Sequence, residues 1–240
     1  MTAMLASVRN LAEAELAFSN GVDWLDLKEP ADGALGAVAP NHVDDIVRTF
    51  GGRIPISATI GDCWASPELI VPKVAALARL QVDYVKIGIF LDQWSEGLVA
   101  AFHAAHAIMP RLIAVCFADS LSPAHAARVR TLPVCGAMLD TADKQRGSLL
   151  SITDENSIAA FLSAARASGF ITGLAGSLTA SDVPLLLKSN PDYLGFRGAL
   201  CRQHDRVDAL DALAIQRIRK LIPTPSDRLN ASKGAMYGMA

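Results

Sequence analysis

At 240 residues with 51% hydrophobic content, the chain can bury a core the size of one α/β barrel domain or of two small ones, and one domain is favoured. A formal net charge of −2 with no long basic block speaks against nucleic acid as a partner. No apolar run approaches the ~18 residues a membrane span needs, and Arg9, Glu13 and Glu15 interrupt the N-terminus before a signal-length stretch develops, so no membrane partner is expected either.

Strand-like and helical patterns then alternate eight times. A strand over Ala3 to Val8 leads to a helix over Asn10 to Ser19, and a strand over Asp23 to Lys28 to a shorter helix near Asn41 to Phe50. Ile54 to Ile60 precedes a helix over Val71 to Leu80, and Asp83 to Ile89 one over Gln93 to Ile108. Leu112 to Ala118 is followed by Ser122 to Thr131, and Gly136 to Asp140 by Asp154 to Ala167. Phe170 to Ala175 with Ala180 to Ser189, then Tyr193 to Arg197 with Asp208 to Leu221, complete the set. Capping residues such as Ser122 and Thr153 open several helices, and Gly21, Gly51 and Gly169 close others. Eight βα units in a chain of this length are the count of a single (β/α)8 TIM barrel, expected over residues 1–222. A doubly wound open sheet is the rival, but the first βα turn, Ser7-Val8-Arg9-Asn10, has no glycine-rich dinucleotide fingerprint. Residues 223–240 are polar and aperiodic and are expected to form a flexible tail. Cys63, Cys116, Cys135 and Cys201 show no Cys-x-x-Cys spacing and read as reduced thiols of a cytoplasmic protein.

Two lysines stand where strands should exclude them. Lys28 ends the run Trp24-Leu25-Asp26-Leu27-Lys28, and Lys86 lies inside Asp83-Tyr84-Val85-Lys86-Ile87-Gly88. An ammonium is costly to desolvate unless it finds a partner or loses its proton. With fifteen arginines and only seven lysines in the chain, lysine at these positions suggests amine chemistry that a guanidinium cannot perform, Schiff-base formation above all.

In a barrel of this kind the site lies at the C-terminal ends of the strands, and alternate strands share an interior layer. Strands 2, 4, 6 and 8 place Asp26 and Lys28, Lys86, Asp140 and Arg197 at that end, so a cluster of Lys28, Lys86 and Asp140 is expected, with Asp26 one step deeper. A second ammonium and burial lower a lysine's pKa, and a carboxylate raises it, so a nucleophilic amine needs the first two effects to win at one site. The competing reading is a structural pair of buried salt bridges, Asp26 to Lys28 and Asp140 to Lys86. Gly176-Ser177 after strand 7 and Gly198 beside Arg197 after strand 8 allow backbone amides to approach a phosphate, or are simply turn glycines. Lys144 and Arg146, just past strand 6, either hold a second anion or belong to a solvated loop.

Other features carry less. His103 and His106 at i, i+3 permit a shared metal, but no carboxylate or cysteine completes a set, so no metal is expected and the pair reads as solvent-facing. His42 and His125 read as helix-surface residues, and Trp64 and Trp94 as covers of the barrel mouth or as loop anchors.

These segments resemble the (5-formylfuran-3-yl)methyl phosphate synthase family. The resemblance rests on Asp26-Leu27-Lys28-Glu29-Pro30 with Gly33-Ala34-Leu35-Gly36-Ala37, on Pro55 to Asp62, on Tyr84-Val85-Lys86-Ile87-Gly88, on Ala137-Met138-Leu139-Asp140-Thr141, on Leu174-Ala175-Gly176-Ser177 and on Gly195 to Cys201, running in order to about Leu221. It implies a TIM-barrel lyase that condenses two glyceraldehyde 3-phosphate molecules, with loss of phosphate and water, into a furan aldehyde phosphate for methanofuran or methylofuran. It further implies Lys28 as the Schiff-base lysine, Lys86 as the proton-transfer lysine, Asp26, Asp140 and Lys144 as their companions, and no cofactor. Two triose phosphates would need two anion positions, one near Gly176, Ser177, Arg197 and Gly198, the other near Lys144 or Arg146. A different class I sugar-phosphate aldolase, a phosphate-binding isomerase, or a non-enzymatic metabolite-binding protein are the alternatives. The sequence leaves a homo-oligomer open.

Overall fold

A computed structural model describes residues 1–122 and 127–224, so His125, the start of the helix expected from Ser122 and residues 225–240 of the expected tail lie outside the described residues. Eight parallel strands close into one barrel in chain order, β1 (Ala3–Val8), β2 (Trp24–Leu27), β3 (Ile56–Thr59), β4 (Tyr84–Ile89), β5 (Leu112–Phe117), β6 (Gly136–Asp140), β7 (Ile171–Leu174) and β8 (Tyr193–Phe196). The helices with both ends among the described residues are α1 (Leu11–Ser19), α2 (Pro40–Phe50), α3 (Ile70–Arg79), α4 (Glu96–Ile108), α5 (Leu149–Ile152), α6 (Glu155–Ala167), α7 (Val183–Lys188) and α8 (Ala212–Arg219). The TIM barrel and its strands thus stand where the alternation put them, with ends trimmed by one or two residues. Asn10, Ser95, Asp154 and Asp211 are the N-caps of α1, α4, α6 and α8, each accepting a first-turn backbone N–H, which explains why these helices start there. Two elements differ from expectation. The one-turn helix α5 follows β6, and the chain from Asp208 forms a loop, bridged at Leu210 to Cys201, before α8 begins.

Period-two alternation sorts each strand into an outer and an inner set. On β5, Leu112, Ala114 and Cys116 join the core shared with the helices, whereas Ile113, Val115 and Phe117 join Leu5, Met138, Ala175 and Tyr193 inside the barrel. The barrel floor is aromatic: Trp24 packs 4.7 Å from Tyr84 and 5.2 Å from Tyr193, centroid to centroid. Such pairs contribute about 0.5–1.5 kcal/mol beyond their buried area. Glycine on β7 makes room for this floor, because a Cβ on Gly173 would lie 2.2 Å from Cζ of Tyr193. Above the floor, β1 to β4 turn the polar side chains of Ser7, Asp26, Ser57 and Lys86 inward, whereas Val115 and Met138 keep the side of β5 and β6 apolar.

All four cysteines are free thiols. Among the described residues, no helix is long and apolar enough to cross a membrane.

Candidate active site

Strand register sets the deepest polar layer. Ser7 of β1 and Ser57 of β3 are the lateral partners of Asp26 on β2, and both hydroxyls donate to its carboxylate, Ser57 at 2.5 Å and Ser7 at 3.1 Å. Lys86 reaches in from β4 and places Nζ 2.9 Å from Asp26 Oδ1 and 5.3 Å from the centroid of the Tyr193 ring. Both partners are almost wholly buried. Burial by itself would raise the Asp26 carboxyl, but Lys86, then Lys28, and the Ser57 hydroxyl outweigh it and hold the group below its ordinary value. For Lys86 the balance falls the other way: burial lowers its amine, and Asp26 restores only part of the loss.

One layer higher, Asp140 at the end of β6 meets two lysines. Its Oδ1 accepts the Thr141 backbone N–H at 2.7 Å and Lys144 Nζ at 2.5 Å. Lys144 Nζ also donates to the Thr141 carbonyl and, at 3.3 Å, to the Thr141 hydroxyl. Lys28, just past β2, is fixed by its backbone N–H to the Val8 carbonyl at 3.1 Å and stops with Nζ 3.7 Å from Asp140 Oδ2, its ammonium hydrogen-bonding to no described residue. Burial would raise the Asp140 carboxyl, but Lys144 and then Lys28 hold it down; burial lowers the Lys144 amine despite Asp140. The ion pairs are therefore Asp26 with Lys86 and Asp140 with Lys28 and Lys144, a crossing of the pairs Asp26 to Lys28 and Asp140 to Lys86 considered from sequence. Asp26 and Lys28 share a face of one strand but stand at different heights, and a barrel interior brings together side chains of strands that are not neighbours, β2 with β4 for Asp26–Lys86 and β2 with β6 for Lys28–Asp140.

Above these groups opens a cavity of about 290 Å³, lined by Asp26, Lys28, Lys86, Asp140 and Lys144 and by the loops after β7 and β8. Gly176 adopts φ +108°, and a Cβ there would lie 2.7 Å from Thr141 Cγ2 and 2.9 Å from its backbone nitrogen. The site therefore needs glycine at this position. The Gly176 carbonyl accepts the Leu149 N–H at 2.9 Å, so the short α5 helix fixes this loop. Burial raises the Cys116 thiol and pushes Cys201 up to about 11, so neither offers a thiolate at neutral pH. Among the described residues, no group of His, Cys, Asp and Glu is arranged to hold a metal ion.

Residues 4–219 match the family model described as 4-HFC-P synthase. The chain belongs to this family. A relative from Methylorubrum extorquens is 39% identical over 213 residues, 88% of each chain. The relative named (5-formylfuran-3-yl)methyl phosphate synthase from Methanopyrus kandleri is 31% identical over 215 residues, covering 85% of this chain and 91% of its own. Among solved structures, phosphoribosyl anthranilate isomerase from Thermotoga maritima superposes with a TM-score of 0.67 at 15% identity, covering 92% of this chain and 98% of that one. At that identity the likeness speaks to the fold alone.

Within this synthase family member, the residues singled out from sequence divide. Lys28, Lys86, Asp26, Asp140 and Lys144 meet in one cavity, and Gly176, Ser177 and Gly198 line its rim. Arg197 also lines it, but its five guanidinium N–H groups are engaged by Glu13 (2.5 and 3.1 Å) and by the carbonyls of Ser7, Arg206 and Asp208. It fastens loops instead of presenting itself to a ligand. Arg146 is exposed, pairs with Asp119 at 3.1 Å and lies outside the cavity lining. Trp64 packs edge-on against Phe90 and Phe117 over the barrel interior, whereas Trp94 packs on the outer core. His106 is half-buried with Nδ1 unpartnered, and His103 is exposed.

Sequence reasoning missed Ser7, Ser57, Glu13 and Arg206. For the two serines a signal existed, since inward period-two positions beside Asp26 are polar on both neighbouring strands. Glu13 reads as an ordinary first-turn helix residue, and its Oε2 does accept the Arg9 N–H; nothing local announces its second role with Arg197.

Proposed function

We propose that this enzyme condenses two glyceraldehyde 3-phosphate molecules into (5-formylfuran-3-yl)methyl phosphate through a Schiff base on Lys28, in the cytoplasm and without a cofactor. One observation carries the choice of lysine. Of the three amines in the cavity, those of Lys86 and Lys144 are clamped by carboxylates at 2.9 and 2.5 Å, and that of Lys28 faces the cavity with its nearest carboxylate oxygen at 3.7 Å.

In the proposed sequence, the free amine of Lys28 attacks the first aldehyde, and loss of water gives the iminium. The cationic nitrogen draws electrons from the adjacent carbon, a base removes its proton, and the resulting enamine attacks the second aldehyde to form the new carbon–carbon bond. Elimination of one phosphate and of water, with ring closure, gives the furan and returns the amine. Lys86 suits the proton traffic because burial has made its proton easier to give up, while Asp26 holds it in place. Asp140, held ionised between Lys28 and Lys144, stabilises the iminium.

Borohydride reduction in the presence of glyceraldehyde 3-phosphate, followed by peptide mass spectrometry, tests this reading. The expected result is a reduced triose adduct on Lys28, with a furan chromophore and inorganic phosphate released in the unreduced reaction. An adduct on another lysine sinks the assignment, and an adduct without a furan product points to another class I aldolase.

A further inference from the structure

The loop of residues 202–208 after β8 is held in a costly shape. Gln203 and His204 sit consecutively in the left-handed region, at φ +52° and +61°, an arrangement that costs on the order of 1 kcal/mol or more per non-glycine residue. Two arginines hold it from the barrel side. Arg197 donates to the carbonyls of Arg206 and Asp208 at 2.8 Å each, Arg9 donates to the Val207 carbonyl at 2.9 Å, and Glu13 holds Arg197 from the other side. Strain maintained in this way beside a cavity invites the question of which side chain it presents.

The side chain presented is Arg206. It is half-buried and lines the cavity with Lys28 and Lys144. Its guanidinium makes one hydrogen bond among the described residues, from Nη2 to the Gly33 carbonyl at 2.9 Å. That contact lays it across the mouth from the β8 loop to the β2 loop, on the side from which Lys28 projects. Among the described residues no carboxylate lies within ion-pair distance of it. Four cationic side chains of the cavity wall, Lys28, Lys86, Lys144 and Arg206, face the two carboxylates of Asp26 and Asp140, Arg197 being matched by Glu13. A wall so composed favours an anionic occupant, and a guanidinium with free N–H groups suits a phosphate oxygen pair in a bidentate contact.

We propose that Arg206 is the phosphate-binding residue of this mouth, taking the phosphoryl group of the triose attached to Lys28, with the Glu13–Arg197 pair fixing the loop that carries it. The inference rests on the Schiff-base reading for the identity of its ligand.

Arg206→Met and Arg206→Lys test it. For the methionine variant KM for glyceraldehyde 3-phosphate is expected to rise about 10- to 100-fold, the scale of losing a hydrogen bond between charged groups, with a much smaller change in kcat. The lysine variant should fall between this and the wild type. Borohydride trapping of Lys28 with unphosphorylated glyceraldehyde should be as efficient in both variants as in the wild type. Inorganic phosphate should raise the thermal midpoint of the wild type and shift that of Arg206→Met far less. If KM is unchanged in both variants, or phosphate protects Arg206→Met as well as it does the wild type, Arg206 is not the ligand. If instead neither aldehyde traps Lys28 in the wild type while phosphate protection still depends on Arg206, the Schiff-base reading falls and the anion site stands.

Discussion

Lys28 and Asp140 approach from opposite sides of the barrel, β2 and β6, and their charged ends stop 3.7 Å apart. The gap is too long for a hydrogen bond and short enough for a strong electrostatic influence. Lys144 accounts for it by occupying the other oxygen of Asp140 at 2.5 Å. The carboxylate is thus ionised and oriented by one lysine while a second keeps its nitrogen unencumbered, the arrangement expected where an amine must attack a carbonyl and its cationic product must then be stabilised.

Lys28→Arg separates charge from nucleophilicity. The guanidinium can keep an ion pair with Asp140 but forms no iminium under these conditions, so activity should fall roughly 10³-fold or more. The thermal midpoint should move by no more than a few degrees, because one long ion pair is replaced by another. Retention of a tenth of the wild-type kcat would exclude Lys28 as the covalent residue.

The Asp26–Lys86 pair is almost wholly buried at the bottom of the cavity, and breaking it should be costly. Asp26→Asn leaves an ammonium without a counter-charge, and a loss of about 3–5 kcal/mol is expected. Adding Lys86→Met should recover most of that stability without recovering activity. Denaturant unfolding of the two single variants and the double variant gives the coupling directly; additive losses would mean that the two side chains do not act as a pair.

Acid sensitivity follows from Asp140. Burial would raise its carboxyl, but Lys144 and then Lys28 hold it below the ordinary 3.8. A carboxyl lowered on folding contributes stability that is complete above its unfolded value, about 3.8, and is lost as pH falls through the folded value. Lys144→Met removes the strongest of the charges that hold it down. The midpoint of acid unfolding and the acid limb of kcat/KM should therefore both move to higher pH. Thermal midpoints measured from pH 3 to pH 7, with kinetics over the same range, check this; an unmoved acid limb would show that Lys144 does not govern Asp140.

The alternation of strands and helices was legible because parallel strands buried on both faces leave continuous apolar runs, as in Leu112 to Phe117, and because capping residues mark the helices. The polar cluster was legible because Lys28 and Lys86 interrupt such runs. Its pairing was not: which carboxylate meets which lysine depends on the height each strand reaches across the barrel, and period two gives the face without the height. The engagement of Arg197 was hidden for a similar reason. Its position at the end of β8 suggests a ligand contact, but its side chain turns back to Glu13, 184 residues away in sequence. Arg206 lies in an aperiodic loop, and only the folded loop reveals where it points.

The rim loop after β7 offers a last test of how closely the site is built. Gly176 is in the left-handed region, its carbonyl anchors α5 through Leu149, and a Cβ would press on Thr141, whose backbone N–H and carbonyl hold Asp140 and Lys144. Gly176→Ala should cost about 1–3 kcal/mol in backbone strain and overpacking. Because the pressure is transmitted through Thr141 to Asp140 and Lys144, kcat should fall together with the rise in KM, in contrast to Arg206→Met. Steady-state kinetics at matched temperature read the difference: a variant less stable by this amount but with unchanged kcat would show that the loop tolerates the methyl group without disturbing the lysine cluster.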